Sequence, residues 1–403
     1  MNVLFLTTGR MKSIEAYSLY PDLLRQFRAH GHTVYVVSQR EKNTGLPTEL
    51  KDDHGAHMLY VRIGNLTGCG RIEKGVTTLQ IEGQYKKAIK KYFPGVHFDL
   101  VLYSTPPITL VGVVEYIKKR DQAQTYLLLK DIFPQNAVDL GMMAQNGLKG
   151  LLYRYFRRKE EHLYAVSDHI GCMSSANVNY VLEHNPKISP DTISVCPNCI
   201  EPRDMSLSPT AKREMRDRYG IPQDRKVFLY GGNFGKPQGI SFLIECLRNQ
   251  KKSKAFFLLI GGGTEYHKVE TFIKSEPQGN VKLLKHIPKD DYDRMVAACD
   301  VGMIFLDHRF TIPNFPSRLL PYIQAGLPVL ACTDPNTDVG KVITDGGFGW
   351  WCESNDVERF SSLIQTIVLQ DTTGMSARAK NYLWEHYHVA KAYQSIVTAL
   401  RIE

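Results

Sequence analysis

The strongest constraint on the fold is a repeated alternation of short apolar runs with longer amphipathic segments. In the first 200 residues we interpret as buried strands the runs 3–7, 33–38, 57–62, 100–103, 125–129, 169–173 and 193–196, several of them bounded by Gly, Pro, Asn or Asp. Between them, 16–30 and 148–166 carry apolar residues at helical spacing. This order predicts parallel strands joined by crossover helices, hence a doubly wound sheet.

A second series of the same kind follows a polar segment. Pro202, Pro209 and Pro222 surround a charged stretch that is typical of a linker, and strands are then expected at 227–230, 255–260, 281–284, 301–305, 329–331 and 349–352. We therefore predict domains at 1–200 and 226–380, a linker at 201–225, and a C-terminal helix in 381–403 that packs back toward the first domain. Two such domains would bind ligands in a cleft between the carboxyl edges of their sheets.

Charge and composition narrow the partners only slightly. The chain has 403 residues and a formal charge of +9, which favours anionic partners but fits nucleic acid, phosphate-bearing substrates and an anionic membrane alike. No basic segment precedes the first apolar run, and no apolar stretch approaches the roughly 20 residues of a membrane-spanning helix. We expect a cytoplasmic protein.

The eight cysteines are interpreted as reduced thiols, since most lie inside apolar runs. Cys196 and Cys199 have metal-like spacing, but no second pair or histidines stand at compatible spacing, so a zinc site is not favoured. Asp290, Asp291 and Asp293 also suggest a metal site at first sight. We prefer a solvated helix start, because the helix dipole favours acidic residues in a first turn.

Residues 226–239 read as a strand, a glycine-rich turn and the start of a helix. Glycines let backbone amides approach an anion closely, a helix N-terminus is electropositive, and Lys236 can place a full charge beside a diphosphate. The alternative is a tight turn with a solvated lysine.

Two later segments stand where a nucleotide site in the same domain requires them. Residues 259–265, Leu-Ile-Gly-Gly-Gly-Thr-Glu, follow the next strand, and 315–331 begin with Phe-Pro-Ser-Arg before a helix that leads into another strand. We expect Ser317 to cap that helix and Arg318 to lie in its first turn, where its planar fork and the exposed amides could hold phosphate oxygens. The alternative is a surface arginine above a helix start.

The segment from Tyr230 to Ala331 resembles the donor domain of family 4 glycosyltransferases, particularly those of bacterial O-antigen and capsule assembly. The family motif Tyr-Ala-Gly-Asn-x-Gly is matched at 230–235, and Pro-Ser-Lys-x-x-Glu-Tyr-x-Ala-x-Gly-x-Pro-Val is matched over 316–329. Upstream, 131–141 is similar to the family's Asp-x-x-Pro-Glu-Ser segment, and 194–201 to its Pro-Asn-Gly-Val-Asp signature, with Cys199 where relatives carry glycine.

The resemblance implies a GT-B fold of two Rossmann-like domains and sugar transfer from a nucleotide sugar, with UDP expected, with retention of configuration and without a metal or cofactor. Lys236 and Arg318 would stabilise the departing diphosphate, and Asp131 would orient or deprotonate the acceptor hydroxyl. The alternative for Asp131 is an N-cap or turn residue. The donor-binding candidates are Gly9, Arg10, Gly232, Asn233, Gly235, Gly263, Glu265, Ile287, Phe315, Pro316 and Ser317.

One departure from the family concerns the donor ribose. The family has two glutamates eight positions apart, the second contacting ribose, and the matching positions here are Pro313 and Pro321. Proline carries no carboxylate, so we expect the ribose to be held another way.

The stretch 149–159 combines five basic residues with aromatic and leucine positions, which suits attachment to an anionic membrane. Residues 86–91 are a second basic stretch that could add to it. The alternative is an ordinary amphipathic helix packed on the sheet. Acceptors in the resembled family are commonly polyprenyl-diphosphate-linked sugars, which implies a peripheral membrane role.

Two other functions stay open at this point. A nucleotide-sugar epimerase could use the same fold, because fold alone does not fix the reaction. A nucleic-acid-binding protein would rest on charge alone, and we find no nucleic-acid-binding motif; nucleic acid is not an expected partner.

Overall fold

The computed structural model describes residues 1–147 and 150–402, with only the backbone described at Arg71. The chain forms two compact units. Unit 1 comprises Met1–Glu201 and the chain from Val389 onward, and unit 2 comprises Pro202–His388. The chain thus returns to its first unit after completing the second.

Unit 1 contains an eight-stranded sheet in the order β3-β4-β2-β1-β5-β6-β7-β8. Its strands are β1 (Asn2–Leu6), β2 (Thr33–Glu41), β3 (Glu49–Asp53), β4 (Ala56–Ile63), β5 (Leu100–Ser104), β6 (Gln124–Leu129), β7 (His169–Cys172) and β8 (Ile193–Val195). All neighbouring pairs are parallel except β3 with β4. The central strands are buried on both faces, as near-continuous apolar runs predict.

The helices of unit 1 cover both faces of this sheet. They are α1 (Leu19–Ala29), α2 (Arg71–Tyr92), α3 (Val111–Asp121), α4 (Gln135–Asp139), α5 (Gly150–Val166), α6 (Ser175–His184) and, after unit 2, α15 (Val389–Ala399). One core joins α1 and α15 to β1, β2, β5 and β6. Because crossover connections are right-handed, α2, α3, α5 and α6 lie on the other face and run parallel to one another.

Strand β3 was not predicted, because its sequence Glu-Leu-Lys-Asp-Asp lacks an apolar run. It pairs antiparallel with β4 at the sheet edge, through a turn in which His54 and Gly55 both have positive φ. Polar edge strands of this kind carry little periodic signal. Helix α1 also starts three residues later than predicted, after Ser18.

Unit 2 contains a six-stranded parallel sheet in the order β11-β10-β9-β12-β13-β14. Its strands are β9 (Val227–Asn233), β10 (Phe256–Gly262), β11 (Val281–Leu284), β12 (Val301–Phe305), β13 (Val329–Thr333) and β14 (Gly349–Glu353). Its helices are α7 (Pro209–Arg218), α8 (Ile240–Arg248), α9 (Tyr266–Ser275), α10 (Lys289–Ala298), α11 (Leu319–Gln324), α12 (Val339–Asp345), α13 (Val357–Leu369) and α14 (Thr373–His386). The prediction of two doubly wound α/β domains is confirmed.

The segment predicted as a linker, 201–225, contains α7 within unit 2. Ser208 caps this helix by accepting a hydrogen bond from the Ala211 amide. Arg216 is buried and its Nη2 lies 2.6 Å from an Asp300 carboxylate oxygen. A charged segment that the sequence analysis took for a linker is therefore held by an ion pair between a buried arginine and a half-buried aspartate.

The segment 381–403, predicted as one C-terminal helix, contains two. The end of α14 belongs to unit 2, whereas α15 packs against α1 in unit 1. The predicted helix 148–166 is described from Gly150 onward, and its first two positions, like Glu403, lie outside the described residues.

Candidate active site

A glycine-rich turn closes the carboxyl ends of β9 and β10. The strands pair further than predicted, since Gly232 and Asn233 stand opposite Gly261 and Gly262. Gly263 has φ +157°, and a Cβ there would lie 2.4 Å from the Phe234 carbonyl oxygen. Only glycine allows this close approach of the two chain segments.

Arg318 lies directly against this turn. A Cβ on Gly232, which has φ +124°, would come within 2.9 Å of Arg318 Nη2. The guanidinium carbon stands 4.2 Å from the ring centroid of Tyr230, a cation–π distance. The glycine therefore makes room for the guanidinium, and the tyrosine ring holds it in place.

Three tyrosines surround that guanidinium. Tyr230 donates a hydrogen bond to the Asn233 carbonyl (2.7 Å), and Tyr322 accepts one from the Gly231 amide (3.0 Å) while a Cβ on Gly231 would overlap the Tyr292 hydroxyl. Burial by itself would lower the pKa of Arg318, but the neighbouring tyrosines raise it above its usual value. Within the described residues Arg318 forms no ion pair with a carboxylate.

The helix after Arg318 begins one residue later than predicted. The N-cap position of α11 is Arg318 itself, not Ser317, and the helix runs for six residues. Phe315 is buried and Pro316 half-buried just before it. Pro313 is buried in the preceding loop and Pro321 lies in the first turn of α11, where proline costs no intrahelical hydrogen bond.

Lys236 is exposed in a single turn of 3₁₀ helix at Lys236–Gln238. It lines a cavity of about 600 Å³ with Glu265, Lys268, Arg309 and Ser354 among others. The Ser354 hydroxyl is buried there and has no hydrogen-bond partner among the described residues. Arg318 is not among the residues that line this cavity.

The remaining donor-binding candidates of unit 2 cluster around the same turn. Gln238 Oε1 accepts hydrogen bonds from the Gly235 amide (3.1 Å) and Asn233 Nδ2 (3.2 Å), and the Glu265 amide donates to the Phe234 carbonyl (2.8 Å). Ile287 is half-buried between β11 and α10. The structure thus brings Gly232, Asn233, Gly235, Gly263, Glu265 and Arg318 together.

In unit 1, Asp131 follows β6 at its carboxyl end. One carboxylate oxygen accepts a hydrogen bond from Asn136 Nδ2 (2.8 Å), and its amide donates to the Thr105 hydroxyl (3.3 Å). Burial raises the pKa of Asp131 to about 6, although the bonds from Asn136 and the Ile132 amide oppose this shift. A carboxyl group with such a pKa can exchange a proton near neutral pH.

Gly9 and Arg10 lie in the loop after β1 in the same unit. The Gly9 amide donates to the Thr7 hydroxyl (2.9 Å), and Arg10 Nη2 lies 2.8 Å from a carboxylate oxygen of the fully buried Glu41. Burial would raise the pKa of Glu41, but hydrogen bonds from Thr67, Arg10 and Leu66 hold it below the usual value. Arg10 is therefore already paired, while half of its side chain stays exposed.

Sequence reasoning missed the positioning role of the tyrosines. Tyr230 and Tyr322 were identified only as motif matches, and Tyr292 carried no signal, since it lies 62 residues from Tyr230 in a polar helix. Asp290 and Asp291 do occupy the first turn of α10. Among the described residues, no cluster of three or more His, Cys, Asp or Glu side chains could hold a metal.

Comparisons with known proteins agree on the class. Residues 211–383 match the family of glycosyl transferases group 1. The chain is 24% identical over 292 residues to a Pseudomonas aeruginosa protein named probable glycosyltransferase WbjE, covering 72% of this chain and 71% of that one. It is 21% identical to WcaI of Escherichia coli (strain K12), named as a colanic acid biosynthesis glycosyl transferase, over 67% of this chain and 66% of that one.

Solved structures share the fold over the whole chain. Sucrose-phosphate synthase from Thermosynechococcus elongatus aligns with a TM-score of 0.77 at 14% identity, covering 99% of this chain and 98% of that one. HepE from Anabaena, in complex with UDP and glucose, aligns at 0.71 with 16% identity over 100% and 99%. These structures show that the chain has the GT-B fold, while the family match and the curated relatives show that it is a glycosyltransferase. Its second unit carries the group 1 glycosyl transferase domain, and the resemblance to bacterial polysaccharide glycosyltransferases is confirmed.

Proposed function

We propose that this glycosyltransferase moves a sugar from a nucleotide sugar to a glycan acceptor, and that unit 2 binds the donor diphosphate at the Gly232 turn. The observation that carries the proposal is Arg318, a guanidinium packed among tyrosines and without a carboxylate partner in the described part of the chain. The residue is half-buried, so its guanidinium can be reached by a ligand, and its partial removal from water favours an accompanying anion. A diphosphate beside the turn would supply that anion.

The same contact gives a mechanism for leaving-group departure. When the bond between the anomeric carbon and the diphosphate breaks, negative charge grows on the diphosphate oxygens. A preorganised cation aimed at that charge stabilises the transition state more than the ground state. Arg318 can offer two parallel hydrogen bonds, each charge-assisted and worth roughly 1.5 to 3 kcal/mol.

Lys236 has a second, more mobile role in this proposal. Its exposed ammonium lines the cavity beside the turn, and its flexible stem lets it approach bound phosphate. Gly9, Arg10, Gly235, Gly263, Glu265, Ile287, Phe315, Pro316 and Ser317 are proposed to line the rest of the donor site. We propose that transfer retains configuration and needs no metal, as the sequence resemblance implies.

Asp131 is proposed to act on the acceptor hydroxyl in unit 1. Its raised pKa makes it a stronger base than an ordinary aspartate, and Asn136 fixes the orientation of its carboxylate. Once deprotonated, it can accept the hydroxyl proton as the new glycosidic bond forms.

The nature of the two substrates is also a proposal. HepE was solved with UDP, which supports a UDP-sugar as donor, and WcaI is named for colanic acid biosynthesis, which supports a surface polysaccharide as product. We propose a polyprenyl-diphosphate-linked or related glycan acceptor. The reaction would then take place in the cytoplasm, at the inner face of the cell membrane. No helix in the described residues has the length and hydropathy of a membrane span.

The test starts from nucleotide sugars screened by thermal shift, since a ligand that prefers the native state raises its melting temperature. With the donor so found, Arg318→Ala and Lys236→Ala should each lower transfer about 10²-fold or more, with Arg318→Lys intermediate because it keeps the charge and loses the fork. Arg248→Ala is the matched control, because Arg248 is an exposed arginine of unit 2 paired with Glu276. Near-native turnover in both alanine variants would remove the diphosphate assignment.

Two further arms of the same assay separate the alternatives. EDTA should leave turnover largely unchanged, and inhibition reversed by magnesium or manganese would contradict the metal-free mechanism. Conversion of the nucleotide sugar to its epimer without any acceptor would replace the transferase reaction by an epimerase reaction.

A further inference from the structure

The N-terminal halves of α2 and α5 carry exposed apolar side chains that have no part in the proposed donor and acceptor sites. On α2, Ile72, Val76 and Leu79 are 85%, 48% and 60% exposed, and their spacing of four and three residues places them on one helical face. On α5, the exposed apolar residues are Leu151, Leu152 and Tyr155. We call these six residues the α2–α5 surface.

The two helices flank the start of α3 on one face of the unit 1 sheet. Both contact the turn Ile108–Leu110 that precedes α3. Lys159 Nζ of α5 lies 3.6 Å from a Glu82 carboxylate oxygen of α2, and the same oxygen accepts a hydrogen bond from the Gly112 amide of α3 at 3.2 Å. These bonds join the middle of α2 to the middle of α5.

The N-terminal halves of α2 and α5, which precede Glu82 and Lys159, extend past the start of α3. At about 1.5 Å per residue, the stretch from Ile72 to Glu82 spans roughly 15 Å and that from Leu151 to Lys159 roughly 12 Å. Of residues 72–80 only Thr77 is buried, against Gly64, and 151–159 contain no buried residue. Helices in such folds start near the carboxyl edge of the sheet, so the surface projects on the side where Asp131 lies.

Basic groups accompany the apolar ones. Arg154, Arg158 and Lys159 line a groove of about 410 Å³ together with Leu151 and Tyr155 of the surface. Arg154 and Arg158 are exposed, whereas Glu160 is buried and turned toward Arg157 and Tyr164. The combination of apolar side chains with cations is the pattern of segments that lie in an anionic lipid interface.

The second basic stretch, 86–91, does not belong to this surface. Lys86 pairs with Glu82, and Lys90 and Lys91 lie over the rings of Tyr116 and Tyr92. They stand on the half of α2 beyond the bridge. Lys149 lies outside the described residues, so the predicted stretch 149–159 contributes through Leu151–Lys159.

We propose that the α2–α5 surface, with Arg154 and Arg158, docks unit 1 on a bilayer that contains anionic phospholipid. The charge of the groove selects this occupant over a neutral apolar partner, because phosphate headgroups match the two arginines while acyl chains match the six apolar side chains. The inference rests on the proposed function in one respect: a lipid-linked acceptor would then reach the carboxyl edge of the unit 1 sheet from the membrane.

The test is sedimentation of the full-length protein with vesicles, independent of any enzyme assay. The protein should bind vesicles of phosphatidylcholine and phosphatidylglycerol, and should bind pure phosphatidylcholine at least tenfold more weakly. Ile72→Ser/Val76→Ser/Leu79→Ser and Arg154→Glu/Arg158→Glu should each weaken binding about tenfold or more, since surface basic residues and buried apolar groups both contribute. High salt should weaken binding of the apolar variant further.

Matched controls lie in unit 2. Leu369→Ser removes an apolar side chain that is 83% exposed, and Lys251→Glu/Lys252→Glu makes the same charge change at exposed positions. Both should bind as the native protein does. Circular dichroism melting checks that each variant is folded.

Several outcomes would overturn the proposal. They are absence of vesicle binding, equal binding to neutral and anionic vesicles, unchanged binding in both surface variants, and a native dimer that the apolar variant converts to a monomer. In the last of these cases, a second copy of the chain would occupy the surface. Turnover of a water-soluble acceptor analogue is measured in parallel. Turnover without vesicle binding would contradict only the docking proposal, and vesicle binding without turnover would contradict only the proposed function.

Discussion

At the residue scale, two ionisable side chains are held in environments that raise the pKa of each. Arg318 is packed among Tyr230, Tyr292 and Tyr322, which strengthens its hold on a proton. Asp131 is half-buried, and the removal of its carboxylate from water makes that carboxylate more basic although the hydrogen bond from Asn136 opposes the shift. A permanent cation and a readily protonated carboxyl suit, respectively, leaving-group stabilisation and proton acceptance.

Asp131 gives a prediction with a definite sign. If it is the acceptor base, the rate should rise with pH through about 6 and level off above, because only the carboxylate accepts a proton. Asp131→Asn should abolish that rise and lower turnover by about 10²-fold or more. A pH–rate profile with saturating donor measures both, and Asp139→Asn, a nearby carboxylate in α4, is the control.

The stability of the same variant separates base from structural residue. The folded pKa is raised above the ordinary value of 3.8, so the folded state binds more protons than the unfolded state between about pH 4 and 6. The native protein therefore loses stability as pH rises through that window. Asp131→Asn should be more stable than the native protein at pH 7, by roughly 1 to 3 kcal/mol, and no more stable at pH 4. Lower stability at pH 7 would show that the carboxylate is needed for folding.

At the element scale, the structural features that the sequence analysis did not predict were missed for related physical reasons. Apolar runs identified every strand except β3. A buried parallel strand has an apolar sequence of its own, whereas a polar edge strand such as β3 forms through its pairing with a neighbouring strand. The Arg318 environment likewise depends on Tyr292, contributed by a distant helix. The exposed face of α2 went unnoticed since its apolar spacing is also typical of a packed helix.

Helix α11 gives the prediction for this scale. Pro321 stands where the resembled family carries the glutamate that contacts ribose, and here it occupies the first turn of a six-residue helix beside the buried Leu320 and Tyr322. A carboxylate introduced among such neighbours needs hydrogen-bond partners, whereas proline needs none. We therefore expect Pro321→Glu to leave donor affinity unchanged or lower it. Isothermal titration calorimetry checks this, with Pro321→Gln as the uncharged control.

The opposite result would have a clear meaning. Donor binding at least tenfold tighter in Pro321→Glu, about 1.4 kcal/mol, would show an ordinary family site that lacks one residue. The ribose would then need no contact of a different kind.

At the scale of the whole molecule, the chain crosses between its two units twice and at adjacent places. It leaves unit 1 after Glu201 and returns at Val389, whose amide donates a hydrogen bond to the Ile200 carbonyl (2.9 Å). Helix α15 then completes the core of unit 1, where the Tyr393 ring lies 4.9 Å from the ring of Phe27. The last helix of the chain therefore contributes to the stability of unit 1.

The contribution of α15 to the stability of unit 1 can be measured because the tryptophans, which report unfolding by fluorescence, all lie in the other unit. Trp350, Trp351 and Trp384 are the only tryptophans of the chain, and all three lie in unit 2. Ile396 of α15 and Ile367 of α13 are both fully buried, one in the core of each unit. Each change to alanine should cost about 2 to 5 kcal/mol of the unfolding free energy of its own unit.

We predict that Ile396→Ala lowers the denaturant midpoint seen by far-UV circular dichroism and leaves the tryptophan fluorescence transition where it is. Ile367→Ala should instead move the fluorescence transition, because its cavity lies in the unit that holds the reporters. The reasoning requires each core to be cooperative within its own unit. If Ile396→Ala shifts both transitions equally, the two units unfold together, and α15 then supports the stability of the whole chain rather than that of unit 1.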